Sequence, residues 1–92
     1  MPVPPAELTA EFTIETSPEG EKSPNEQVEA GKEVAGTSGL TAQETGPESM
    51  ALSGSRDEVL EALPGVVRAS LDAGAKAVRI RLEVNTEVRQ KT

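Results

Sequence analysis

A switch of hydrophobic period between Ser55 and Asn85 limits what this chain can fold into more than any other feature. Val59, Leu60, Leu63, Val66, Val67 and Leu71 recur at the spacing of a helix with one apolar face. Val78, Ile80, Leu82 and Val84 then alternate with Arg79, Arg81, Glu83 and Asn85, the pattern of a strand with one apolar face. Ser55-Arg56-Asp57-Glu58 supplies a capping box at the helix start, in which the Ser55 hydroxyl accepts from the Glu58 backbone N–H and the Glu58 carboxylate reaches back. Gly74 stands where a helix wants a residue at positive φ. A helix and a strand that each carry one apolar face must bury them against further elements.

The upstream half supplies those elements as a weaker copy of the same plan. In residues 7–15, Leu8, Ala10, Phe12 and Ile14 alternate with Thr9, Glu11, Thr13 and Glu15, which predicts a first strand. Ser23-Pro24-Asn25-Glu26 repeats the helix-start signal, with Pro at the first helical position. The helix after it has a thin stripe of Val28, Ala30, Val34 and Ala35. Gly31 and Gly36 each cost it up to ~1 kcal/mol against Ala, and Thr37-Ser38-Gly39 ends it. Two short strands follow, at residues 40–43 and 50–53, around the turn signal Gly46-Pro47. Pro64 lies inside the second helix pattern and is expected to bend it at the carbonyl of Leu60. The predicted order is strand, helix, strand, strand, helix, strand. With right-handed crossovers this closes most economically as an α+β, ferredoxin-like βαββαβ unit: a four-stranded antiparallel sheet with both helices on one face. The expected domain spans 7–86, with a loose Pro-rich tail at 1–6 and a tail or strand extension at 87–92.

This topology makes the first and last strands neighbours. Glu11, Thr13 and Glu15 then lie near Arg79, Arg81 and Glu83 on the face away from the helices. Opposite charges on such a pair contribute about 0.2–1 kcal/mol each. That face is either a solvated sheet surface or a surface that packs on another subunit.

Charge and composition narrow the function. The net charge is −7. All of it precedes Ser55, where ten Glu face only Lys22 and Lys32, while the residues from Ser55 on hold seven basic and six acidic side chains. An acidic chain with one Phe and no Tyr or Trp lacks both the cationic surface and the stacking platforms of a nucleic-acid binder. Without Cys or His there is no thiolate nucleophile, no disulfide and no imidazole proton shuttle or zinc ligand. The serines have no His partner. Gly36-Thr37-Ser38-Gly39 closes a helix rather than opening one, so its N–H groups point away from any phosphate. Glu15, Glu44 and Glu48 are carboxylates in an acidic chain, not a recognisable acid–base pair. No stretch approaches the ~20 apolar residues of a membrane span, and the first residues lack a signal-peptide pattern. A non-enzymatic cytoplasmic protein without cofactor or metal is the expectation. Its sparse core, mostly Val and Leu, would gain from burial against another copy.

An ordered set of motifs resembles the small thiamine-binding protein family. It comprises Ala10-Glu11-Phe12-Thr13-Ile14-Glu15, Glu19-Gly20-Glu21, Gly39-Leu40, Gly46-Pro47, Gly54-Ser55-Arg56-Asp57-Glu58-Val59-Leu60 and the ending from Ala73-Gly74 to Val84. The resemblance covers residues 8–86 without an obvious insertion. It implies a ferredoxin-like subunit, sheet-to-sheet homodimers or homotetramers through the open sheet face, and binding of thiamine or its hydroxymethylpyrimidine moiety near the subunit interface without catalysis. The ligand-binding candidates are Thr13, Glu15, Gly46 and Ser49. Two loops depart from the family pattern. Thr16-Ser17 stands where Pro and a large apolar residue are common, and Glu48-Ser49-Met50 stands where an apolar residue, Gly and Thr are common. The alternative expectation is a structural or regulatory oligomer of the same fold that binds a protein partner and has lost the ligand.

Overall fold

The computed structural model describes residues 7–85; the expectations for the tails at 1–6 and 87–92, and for Thr86, lie outside the described residues. The chain forms β1 (Leu8–Glu15), α1 (Pro24–Gly36), β2 (Thr41–Gly46), β3 (Ser49–Gly54), α2 (Arg56–Asp72) and β4 (Ala77–Val84). The strands lie in the order β2-β3-β1-β4 and every neighbouring pair is antiparallel. This is the ferredoxin-like α+β arrangement. β1 sits between partners from distant parts of the chain: Phe12 lies opposite Met50 of β3 on one side and Ile80 of β4 on the other. Alternation along β1 sends Leu8, Ala10, Phe12 and Ile14 into the core beneath the helices.

Local chemistry sets the helix ends. The Ser23 hydroxyl accepts from the Glu26 N–H at 3.3 Å, and Glu26 Oε1 accepts from the Ser23 N–H at 3.1 Å, so α1 opens with both bonds of a capping box. The bond from the Ser23 backbone, then that from its hydroxyl, hold the Glu26 carboxyl below its ordinary pKa, with a lesser contribution from the Lys22 charge. At α2 only the first bond forms, from Glu58 N–H to Ser55 Oγ at 3.2 Å. In place of a reciprocal bond from Glu58, Glu7 Oε1 accepts from the Arg56 N–H at 2.9 Å. That carboxylate arrives from the start of β1 and joins two points far apart in sequence. Gly74 takes φ 109° after α2, as its position requires. α2 is continuous through Pro64.

The core is small and tightly seated. Phe12, Ile14, Leu52, Val59 and Val66 are fully buried, each contributing about 1.5–3 kcal/mol relative to exposure. Gly31, which from sequence reads as a defect in α1, is where α1 meets its neighbours. A Cβ there would lie 2.4 Å from Ser70 Oγ of α2 and 2.6 Å from Ile14 Cδ1 of β1. Gln27, absent from the expected stripe, is fully buried. Its Oε1 accepts from the Ser17 N–H, and its Nε2 donates to the carbonyls of Ser17 and Lys22, all at 2.8 Å. The loop between β1 and α1, too polar to pack by itself, is held by this amide and by the Lys22 N–H, which donates to the Ala73 carbonyl at 3.2 Å.

The close approach at Gly31 leaves a helix pair narrower than the sheet beneath it, and both edge strands are largely uncovered. β2 suits that position, being mostly polar and exposed from Thr41 to Thr45, with a register shift between Glu44 and Gly46. β4 does not. Its apolar alternation reads as a buried face, and the register does place Ile80, Leu82 and Val84 on the helix side, yet they are 39%, 47% and 61% exposed. The expected apolar face of α2 is likewise only half used. Val59, Leu63, Val66 and Ser70 are buried, while Leu60 and Leu71 are 42% and 48% exposed. The hairpin of β2 and β3 also differs from expectation. β2 runs on to Gly46 and β3 begins at Ser49, so the turn is Pro47-Glu48 alone.

Candidate functional site

The face of the sheet away from the helices is ordered by cross-strand rows. One row runs Ser49, Thr13, Arg79 across β3, β1 and β4, with Gly46 of β2 beside Ser49. Thr13 Oγ1 and Ser49 Oγ lie 3.0 Å apart and share a hydrogen bond. Glu15, at the end of β1, accepts a charge-assisted bond from Arg79 Nε. The four residues expected from sequence therefore meet at one end of one sheet face, together with Arg79. Arg79 itself was expected only as a neighbouring charge. The rest of this face carries short side chains at its centre. Thr9 and Ser53 repeat the hydroxyl pair at 3.2 Å, and Ala51 and Glu11 lie between the two pairs.

Main-chain bonds fix this end of the sheet. Ile14 N–H donates to the Glu48 carbonyl at 2.9 Å, which ties the hairpin turn to β1. Lys76 N–H donates to the Glu15 carbonyl at 2.9 Å, which ties the start of β4 to the same point. Around the turn, on the α1 side, Lys32 Nζ donates to the carbonyls of Gly46 and Pro47 at 3.1 Å each and lies 3.4 Å from Glu44 Oε2. Its side chain is only 14% exposed. Gly46 thus contributes a carbonyl that holds the turn as well as a space beside Ser49. A separate cleft of about 330 Å³ opens on this α1 side of the sheet, across from the face of Thr13 and Ser49, its acidic wall formed by Glu29, Glu44 and Glu48 around Lys32. Sequence reasoning missed Lys32. The signal was its isolation: it stands one turn after Val28 in a half whose only other cation is Lys22.

The chemistry on offer is recognition by hydrogen bonding. A carboxylate accepts, a guanidinium donates, and two hydroxyls do either. Among the described residues, no group of three acidic side chains is arranged to hold a metal ion. No described helix is long and apolar enough to cross a membrane.

Solved structures that share this fold include two small proteins. A domain of unknown function, DUF77, from Bacillus cereus superposes with a TM-score of 0.63 at 24% identity, covering 88% of this chain and 76% of its own. A hypothetical protein from Methanocaldococcus jannascii superposes with a TM-score of 0.65 at 23% identity, covering 95% of this chain and 84% of its own. No protein-family model matches the chain, and no curated protein matches it in sequence.

Proposed function

We propose that this protein is a non-enzymatic, oligomeric small-molecule binder that takes thiamine or its hydroxymethylpyrimidine moiety at the sheet end formed by Thr13, Glu15, Gly46 and Ser49. One observation carries the reading: side chains of β1, β3 and β4 converge on one shelf with both donors and acceptors, with Gly46 of β2 beside them. Glu15 takes the amino group of the pyrimidine, a hydroxyl of Thr13 or Ser49 donates to the ring nitrogen, and Arg79 holds the Glu15 carboxylate in place. The shelf is shallow, and stacking one copy's open face on another's would give the ring a second wall. The mixed signs of Glu11, Glu15, Arg79, Arg81 and Glu83 make that face self-complementary.

The test is an amide chemical-shift titration with thiamine and, separately, with hydroxymethylpyrimidine. Saturable shifts confined to residues 13–19 and 46–50 are expected. Glu15→Gln should weaken binding about tenfold or more, the loss of a charge-assisted hydrogen bond. A folded protein with no shifts at millimolar ligand would refute the assignment. A second reading, a structural or regulatory oligomer that binds a protein partner, is favoured by the exposed apolar side chains of α2 and β4. It predicts no ligand-induced shift and a concentration-dependent mass.

A further inference from the structure

The two edges of the sheet are built in opposite ways. β2 is polar, and its register shift interrupts pairing; such devices keep an edge from recruiting another strand. β4 has eight residues without a Pro. Its helix-side residues Ile80, Leu82 and Val84 are exposed. Among the described residues nothing pairs with its outer side. Beside it a groove of about 740 Å³ runs between Leu60 of α2 and Leu82 and Val84 of β4, and it continues along α2 past Leu63, Val67 and Leu71. An unprotected apolar edge next to an apolar groove calls for a strand that brings its own apolar helix with it.

We infer that the outer edge of β4 is an interface for a second copy of this chain, paired antiparallel about a two-fold axis through Leu82. The phase of the ladder supports it. Asn85 N–H donates to the Glu7 carbonyl, and Ile14 N–H to the Glu48 carbonyl. With the observed register, residues 79, 81 and 83 spend their backbone groups on β1, and those of Ile80, Leu82 and Val84 point outward. The charges then choose the register. A two-fold axis at Ile80 sets Arg79 against Arg81. An axis at Arg81 sets Arg81 against itself, and one at Glu83 sets Glu83 against itself. An axis at Leu82 alone, of these four, sets Arg81 of each copy against Glu83 of the other, with no like charges opposed. These are the non-hydrogen-bonded positions of the ladder, where facing side chains come closest. On the helix side the same register sets Leu82 against Leu82 and Ile80 against Val84. Within one copy, Arg81 Nη2 lies 3.3 Å from Glu83 Oε2, both side chains being exposed. In the pair, these become a closed ring of four alternating charges. The two α2 helices face each other across the seam, and their exposed Leu60 and Leu71 side chains close the joined groove from above.

This interface shares Arg81 and Glu83 with the open face but not Leu82, which lies on the helix side, and it does not depend on the proposed ligand. It is tested with the full chain by sedimentation equilibrium and amide hydrogen exchange. The wild type should dimerise, with protected amides at Ile80, Leu82 and Val84. Arg81→Glu and Glu83→Arg should each weaken association about tenfold or more, because both facing pairs become repulsive. The double variant Arg81→Glu/Glu83→Arg should restore it, because the pairs re-form with reversed polarity. Leu82→Lys should abolish it and leave any stacking of the open faces unchanged. Circular dichroism identifies any variant that fails to fold, and the charge variants change only exposed side chains. A wild type that remains monomeric would overturn the inference, even with protected β4 amides, since those would assign the edge to residues 86–92. Charge variants that associate as the wild type does would also overturn it.

Discussion

Gly31→Ala and Gly36→Ala make the same chemical change in the same helix, and the structure predicts opposite signs for them. Helix propensity favours Ala over Gly by about 0.8–1 kcal/mol at an interior position. Gly36 is exposed, and a methyl carbon added there would have no neighbouring atom within 4 Å. Nothing opposes the gain at that position, though its place at the helix end trims it to a few tenths. At Gly31 the methyl carbon would stand 2.4 Å from Ser70 Oγ and 2.6 Å from Ile14 Cδ1. Relief requires α1 to lift from α2 or Ile14 to leave its rotamer beside Phe12, and overpacking of this kind costs about 1–3 kcal/mol. Less the propensity gain of ~0.8–1 kcal/mol, the net expectation for Gly31→Ala is a loss of up to about 2 kcal/mol, a fall in Tm of roughly 4–8 °C for each kcal/mol in a domain of this size. Ser70→Ala removes the nearer obstacle. The Ser70 hydroxyl donates to the Val66 carbonyl at 2.8 Å, one turn back in its own helix, so its loss alone should be close to neutral. The double variant Gly31→Ala/Ser70→Ala should therefore recover about half of the deficit. Thermal and urea unfolding of the four variants beside the wild type, at fixed concentration, reads all these terms. A Gly31→Ala variant as stable as Gly36→Ala would show that α1 does not seat on α2 at this point, and the narrow helix pair could no longer explain the bare sheet edges.

Two further outcomes follow from single side chains. Gln27→Leu puts an apolar side chain of similar size there but leaves the Ser17 N–H and the Lys22 carbonyl without this partner, and the Ser17 carbonyl with the Gly20 N–H at 3.2 Å in place of two donors. It should cost about 1–3 kcal/mol and speed amide exchange at Ser17 before any effect reaches β1; unchanged exchange would refute the role of the amide. Glu26 has a depressed carboxyl pKa in the folded chain. Its contribution is complete above the unfolded carboxylate pKa and lost as pH falls through the folded value. Acid unfolding should thus begin with fraying at Ser23, and Glu26→Gln should flatten stability against pH in that range, where an equal slope would count against the capping box.

The parts of the fold legible in the sequence were those written in local pattern. Alternation in β1, the Ser23 and Ser55 caps and the Gly74 stop each depend on residues within a turn or two of one another. At the candidate site the outward parity of Thr13 and Glu15 and the turn at Gly46 could be read in the same way, whereas the choice of these residues as a site came from the family resemblance. Long-range features were not. Gly31 looks like a weakness until α2 is present to occupy the space beside it. Gln27 carries no periodic signal because its value lies in carbonyls five and ten residues away. The exposure of Ile80, Leu82 and Val84 was hidden for a related reason. Period reports which face a residue joins, whereas the width of the helix pair decides whether that face is covered.

The place of β1 in the sheet has a consequence for biosynthesis. The central strand is made first, and its outer partner comes last: Glu15 must wait for Ala77. At 5–20 residues per second that delay is roughly 3–12 s; β3 reaches one side of β1 part-way through it, and the other side, along Phe12 and Ile14, stays unpaired until β4 is made. Glu11 and Glu15, alternating with them, give the nascent segment the charge that discourages pairing with other nascent chains. The acidity of the amino-terminal half then acts before there is a folded protein, as protection for a strand that is the last to be enclosed.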